Sequence, residues 1–351
     1  MGSRRWPVPE LASFGALTEF LELSAGELEW LADARGLERT VSDQRLRNYL
    51  YSAVPRRGGP PRLIERPKFR LKSLQRRILH EILDWIPAHD AAHGFTRGRS
   101  AVTNASEHTR RLVVLRLDLE DFFASIAARR VFGIFRTAGY PESVAYTLTG
   151  LTTNVVPIAV SRQLSSAIDP RLIASQFRLA RRLATPHLPQ GAPTSPALAN
   201  LAAFKLDRRL TGLATALGAT YTRYADDIAL SGSRRLLRNV NQLRSTIHEI
   251  ARQEGFAVNE RKSTLTTSAG SQRVCGVVVN QRTNMARADY DTLKATIHNA
   301  ARHGPATQNR AGVPDFRAHL LGRIAWVEQL HPEHGKKLRR QFDYIDWNRD
   351  A

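Results

Sequence analysis

The chain has 351 residues, with 52 Lys and Arg against 32 Asp and Glu, a formal charge of +20. That length supports a sizeable core in roughly two to three subdomains, and the charge favours a polyanionic partner, nucleic acid foremost, over a generic Arg-rich surface. Cys275 is the only cysteine, which excludes an internal disulfide or cysteine-rich zinc site and suits a reducing cytoplasm. No apolar run nears the ~20 residues of a membrane span, and the basic segment from Met1 to Pro9 lacks the apolar core of a secretory signal. Met1-Gly2-Ser3 reads equally as native or as an appended leader.

Helical spacing is expected over residues 10 to 40, through Leu11, Phe14, Leu17 and Phe20 and then Leu28, Leu31 and Leu37. Ser24 with Glu27 forms a capping box for the second helix. Residues 55 to 62 form a basic Pro/Gly turn. Leu71, Leu74, Ile78 and Ile82 predict a helix over 71 to 86. Residues 112 to 119 are β-favouring and apolar, a buried strand. Residues 220 to 232 predict a hairpin with a polar tip, 235 to 254 a helix ending at Gly255, and 273 to 280 another strand. From about 288 the tail is helical in two pieces, separated by Gly304-Pro305 and Gly312-Val313-Pro314; Phe316, Leu320, Ile324 and Val327 share one face of the second. The order implies an α+β fold with one antiparallel sheet flanked by helices.

Three acids stand out. Asp118 ends the apolar strand, and Asp226 and Asp227 sit at the hairpin tip in Tyr-Ala-Asp-Asp. Clustered carboxylates repel and lose hydration unless a counter-charge joins them. A divalent cation with oxygen ligands resolves this, and two such ions serve phosphoryl transfer. An isolated Asp-Asp pair is more often a solvated turn, so the rest of the pattern decides.

Four segments resemble the motifs of reverse transcriptases, in order and at matching spacing. Asp118-Leu-Glu-Asp-Phe-Phe resembles the first catalytic motif of the polymerase palm. Gln190-Gly-Ala-Pro-Thr-Ser-Pro-Ala-Leu-Ala-Asn200 is similar to the template and nucleotide-pocket motif. Tyr224-Ala-Asp-Asp resembles the second catalytic motif, and Gly255-Phe-Ala-Val-Asn-Glu-Arg-Lys262 the palm motif after it. Two more segments are similar to retron enzymes: Asn104-Ala-Ser-Glu-His108, and Val274-Cys275-Gly276, with Cys275 where Thr is usual. His93-Gly-Phe-Thr-Arg-Gly-Arg-Ser100 resembles the loop before the palm.

The resemblance implies a right-hand fold: N-terminal helices and fingers over 1–111, a palm over 112–272 with a finger-linked insert at about 126–185, and a helical thumb over 273–351. It implies two Mg²⁺ ions at Asp118, Leu119, Asp226 and Asp227, with Glu120 and Asp121 as solvated neighbours. Phe123 falls where the family has a ring against the ribose 2′-hydroxyl, and Phe122 falls in the core if the two alternate as strand residues do. Gln190 and Gly191 border the incoming dNTP. Arg62 and Arg66 are candidates for its triphosphate. Lys262 is either the palm lysine that protonates pyrophosphate or a surface lysine. Asn104, His108, Val274, Cys275 and Gly276 are expected to contact RNA. Lys336, Lys337, Arg339 and Arg340 suit the phosphates of a template–product duplex, or form a solvated helix face.

The implied reaction is RNA-directed DNA synthesis on a structured non-coding RNA, both template and primer, started from the 2′-hydroxyl of an internal guanosine to give branched RNA–DNA. The implied setting is anti-phage defence with an effector protein, template removal falling to a host RNase H since no segment has room for that domain. An intron-encoded or other defence reverse transcriptase, and a non-catalytic RNA-binding module, are the rival readings.

Overall fold

A computed structural model describes residues 6–56, 60–165 and 172–347. Met1 to Ser3, and residues 57–59 of the basic turn, lie outside these.

Two short helices, α1 (Phe14–Leu21) and α2 (Ala25–Leu31), open the chain. Ser24 and Glu27 cap α2 reciprocally, as the sequence predicts. The helical spacing stops there, and Leu37 lies in a turn region, 45% exposed. The strands β1 (Tyr49–Val54) and β2 (Arg62–Pro67) pair as an antiparallel hairpin around the basic turn. Then follow α3 (Phe69–Glu81) and α4 (Ala101–Ser106).

The central sheet is antiparallel, in the order β4-β5-β3-β6. It is built from β3 (Val113–Leu119), β4 (Thr220–Tyr224), β5 (Asp227–Gly232) and β6 (Val258–Thr267). Between β3 and β4 run α5 (Ala128–Thr137), α6 (Glu142–Thr152), α7 (Ile158–Ser165), α8 (Ile173–Leu183), α9 (Ser195–Ala202) and α10 (Phe204–Ala216). The helix predicted over 235–254 is two, α11 (Arg234–Arg238) and α12 (Val240–Gln253), broken at Asn239. It ends at Gly255 with φ 79°, a conformation that favours glycine.

Alternation along β3 sorts its side chains. Val113, Leu115, Leu117 and Leu119 enter the main core with α1 to α3, α5, α6 and α9 to α12. On the opposite face Val114 joins a second cluster with Ala105, Ala229, Val274, Val277 and Val279. Both faces are covered, which accounts for the continuous apolar run.

The strand predicted at 273–280 is instead a small hairpin, β7 (Arg273–Val274) and β8 (Val277–Val278), turning at Cys275-Gly276, both with positive φ. Its valines pack on the central sheet, in a cluster that Leu330 of the C-terminal part also joins. The C-terminal helices are three, not two: α13 (Arg287–His303), α14 (Phe316–Leu330) and α15 (Pro332–Asp343). Pro332 follows His331 and separates the last two. They share a core of Leu293, Ile297, Leu320, Ile324, Val327, Leu338 and Phe342. Among the described residues no helix is long and apolar enough to cross a membrane.

Candidate active site

The sheet register brings the acids together. Asp118, next to last in β3, lies directly opposite Asp227 at the start of β5, on the face that carries Val114 and Ala229. Asp226 occupies the two-residue turn between β4 and β5, after Ala225 with φ 55°. The Leu119 N–H donates to the Asp226 carbonyl at 2.9 Å, tying the turn to β3. The Leu119 side chain is buried in the core, so only its backbone carbonyl is available to a cation.

The β3–β6 ladder slips beside this centre. Arg116 pairs with Thr264 and Asp118 with Asn259, so residues 260–263 bow out opposite Leu117. The bow carries Lys262, whose Nζ donates to Asp118 Oδ1 at 2.6 Å. Lys262 is thus an exposed lysine paired with one of the three acids. Asn259 Nδ2 reaches Asp118 Oδ2 at 3.4 Å, and Arg116 lies 3.8 Å from Asp227.

Burial pushes the Asp226 carboxyl above its ordinary range, and Asp118 adds to the shift. Burial likewise raises Asp227, with Asp226 adding repulsion and Arg116 opposing it. These are anions short of counter-charge, and a set of hard oxygen donors of the kind Mg²⁺ takes. Among the described residues no three such side chains are already drawn into one metal-holding cluster; Lys262 holds part of Asp118.

Beneath the turn lies a buried polar network that sequence reasoning missed. Arg223 and Asp207 are both fully buried and paired bidentately, Nε–Oδ1 and Nη2–Oδ2 at 2.7 Å each. Tyr221 donates to the same carboxylate at 2.7 Å. Arg223 Nη1 donates to the carbonyl of Ala225 at 3.0 Å and to Asn200 Oδ1 at 3.1 Å. Asn200 Nδ2 in turn donates to the Gly94 carbonyl at 2.8 Å. Gly94 presses on the turn so closely that a Cβ there would lie 2.5 Å from the Ala225 nitrogen. The visible signal was an arginine in a β strand whose neighbours are buried.

A cavity of about 220 Å³ opens beside the turn, and Arg62, Phe123, Gln190 and Asp226 line it. Phe122 is 4% exposed and stacks on Phe256 at 5.7 Å, whereas Phe123 is half-buried. Both follow the end of β3, so the turn after the strand, not strand alternation, sets them apart. Arg66 shares the exposed face of β2 with Arg62 but does not line the cavity. Gly191, at φ 134°, permits close approach of β2: a Cβ would lie 2.8 Å from the Glu65 carbonyl oxygen. The Glu65 N–H donates to the Gln190 carbonyl at 2.9 Å.

Glu65 also pairs with His187 at 3.1 Å, both buried. Burial alone lowers the imidazole, but Glu65 and the Thr185 carbonyl outweigh it and raise His187 overall. Glu120 and Asp121 are not merely solvated: they pair with Arg178 at 3.3 Å and Arg182 at 2.8 Å, both on α8.

The retron-type residues fall mostly inside the protein. His108 is fully buried, its ring nitrogens 2.7 Å from Ser231 Oγ and from Thr222 Oγ1. Burial, with Arg111 and His93 nearby, lowers its pKa to about 3. Asn104 is 1% exposed and donates to Cys275 Sγ at 3.1 Å; Val274 is 1% exposed. Asn104 thus ties the β7–β8 hairpin through Cys275, Val274 packs the hairpin on the sheet, and His108 bridges β4 and β5; all three side chains are buried, where the resemblance leads one to expect them at an RNA surface. Gly276 is exposed and Cys275 half-buried, its thiol pushed up to about 11 by burial. On α15, Arg339 is held by Glu328 at 2.8 and 3.0 Å and Lys336 by Glu333 at 3.3 Å, while Lys337 and Arg340 are exposed.

Residues 54–294 match the family model described as reverse transcriptase (RNA-dependent DNA polymerase). The chain is similar to the retron Mx65 reverse transcriptase of Myxococcus xanthus, 40% identical over 85% of this chain and 65% of that protein. The retron Mx162 reverse transcriptase of the same organism is 35% identical over 96% of this chain and 68% of its own length. The retron Ec86 reverse transcriptase of Escherichia coli is 32% identical over 87% of this chain and 85% of its own. The chain belongs to the reverse transcriptase family and, within it, to the retron reverse transcriptases.

Proposed function

We propose that the chain extends DNA on an RNA template, using dNTPs, and that its template and primer are one structured non-coding RNA. The observation that carries the reading is the register that sets Asp118 opposite Asp227, with Asp226 in the adjoining turn and a cavity beside it. Asp118 and Asp226, with the Leu119 carbonyl and Asp227 in support, would hold two Mg²⁺ ions. Bound there, the ions supply activation of the attacking hydroxyl and stabilisation of the leaving oxygen.

The chain's own groups do the rest. Arg62 offers a guanidinium to phosphate oxygens from the cavity wall. Phe123 crowds the sugar, and Gln190, fixed through Glu65, borders the nucleotide. Lys262 is a proton donor within reach of the acids. The C-terminal helices serve as a thumb, with Lys337 and Arg340 free to meet phosphates. Initiation from an internal guanosine 2′-hydroxyl, template removal by a host RNase H, a cytoplasmic setting and anti-phage action through an effector complete the proposal.

The test is Asp226→Asn with Asp227→Asn. Loss of both anions removes metal ligands without adding repulsion toward phosphate, so DNA synthesis stops while RNA binding persists. Sequencing the RNA that co-purifies with this double variant is expected to return one structured species. Full polymerase activity in the variant sinks the catalytic assignment, and a random RNA population sinks the dedicated template.

A further inference from the structure

Phe95 stands between Gly94 and Thr96 with φ 60°, a left-handed conformation that a bulky side chain seldom adopts. Its ring is 51% exposed. Residues on both sides are pinned. The His93 N–H donates to the Arg223 carbonyl at 2.8 Å, Asn200 holds the Gly94 carbonyl, and Thr96 Oγ1 donates to the Ala92 carbonyl at 3.1 Å. The loop therefore cannot relax to bury the ring, and the strain is held by the same network that supports the catalytic turn.

The ring also belongs to an aromatic row. Phe256 stacks on Phe122, Phe122 meets Phe123 at 5.6 Å, Phe123 meets Phe95 at 6.1 Å, and Phe95 meets Tyr224 at 6.5 Å. The row runs from the buried Phe122 outward, and Phe95 is its most exposed ring. Phe95 lines the same cavity as Arg56, Arg62 and Asp226. One cavity thus offers cations for phosphate and a flat apolar surface, two features by which proteins hold nucleotides.

Resting on the polymerase reading above, we propose that Phe95 is a stacking platform for a nucleobase at the polymerisation site. A base has the π-face that such a ring takes irrespective of sequence, and a phosphate alone gains nothing from it. The base is that of the incoming nucleotide or the templating one, which share this chemistry.

The test compares Phe95→Leu, which keeps apolar bulk, with Phe95→Trp, which keeps the ring, in the full chain on an RNA template annealed to a DNA primer. Single-nucleotide extension gives KM and kcat for dNTP. Quenching of 2-aminopurine reads stacking directly, placed at the templating position in one arm and as its deoxynucleoside triphosphate in the other. The expected result is a loss of about 5- to 150-fold for Phe95→Leu, in KM for the dNTP or in template affinity, with kcat largely kept. Quenching in one arm disappears in Phe95→Leu and survives in Phe95→Trp, and that arm identifies the base. Unchanged KM, affinity and quenching in Phe95→Leu overturn the proposal. If the wild-type chain extends no primer, the polymerase reading fails, while quenching still decides whether Phe95 stacks. Thermal melting shows each variant folded, since a half-exposed ring contributes little to the core.

Discussion

Asp207→Asn is nearly isosteric, yet it converts one carboxylate oxygen facing Arg223 into an amide nitrogen. The retained oxygen still accepts from Nε and from Tyr221, but the new donor faces the Nη2 donor, now 2.7 Å from Oδ2. Both side chains have no solvent exposure, so water cannot replace the lost partner. Breaking one side of a buried pair of this kind costs about 3–5 kcal/mol. Replacing both, Asp207→Leu with Arg223→Met, removes the stranded charge and is expected to recover most of that loss. It leaves the Ala225 carbonyl and Asn200 Oδ1 without their donor, each worth about 1–3 kcal/mol. Urea denaturation of the two single variants and the double gives the coupling energy directly. Primer extension on the same samples is expected to show that the double variant folds but polymerises poorly, because Ala225 adjoins Asp226. A cost below about 1 kcal/mol for Asp207→Asn, or additive single effects, refutes the reasoning from buried charge.

Phe123→Ala is expected to relax the preference for deoxyribonucleotides, a discrimination of roughly 5- to 150-fold if overpacking supplies it; single-nucleotide incorporation of both sugars measures this, and an unchanged ratio places the gate elsewhere. Phe122→Ala is expected to cost about 3–5 kcal/mol of stability instead, read from its urea midpoint. His108 has a folded pKa of about 3 against 6.5 for a free histidine. Above 6.5 it is neutral in both states and contributes nothing. Below 6.5 the unfolded chain takes up a proton that the folded chain refuses, so stability falls with acidification until about pH 3. Between pH 7 and 5 that is about 2 kcal/mol; the urea midpoint of His108→Gln should fall less over this range, and an equal fall contradicts the buried, neutral assignment.

The acids, the hairpin that carries two of them and β3 were legible because each is signalled locally: an apolar run, a tight turn, carboxylates where neither rule needs them. The β1–β2 hairpin was hidden by the Pro/Gly-rich basic stretch that forms its loop. The strand β6 escaped notice because it lies at the sheet edge and reads Asn-Glu-Arg-Lys-Ser, with no apolar alternation over the bowed residues. His108 was expected to contact RNA from the resemblance of its segment to retron enzymes; its partners, Thr222 and Ser231, come from strands far along the chain and give no sequence signal. The same holds for Asp207 and Arg223, whose pairing depends on α10 packing beside β4.

The strand order has a consequence for biosynthesis. Asp118 leaves the ribosome on β3, but both neighbours of that strand, β5 and β6, are made later. At typical rates of synthesis β3 waits roughly 7 to 28 s for β6. Until β5 is made, for most of that interval, an apolar strand meant for the middle of a sheet has two open edges, a state prone to association with other chains. On the proposed reading, neither can a partly made chain copy RNA, since Asp226 and Asp227 come only with β5 and Lys262 only with β6. Catalytic competence on that proposed reading therefore comes late, once the sheet closes, rather than growing with the chain.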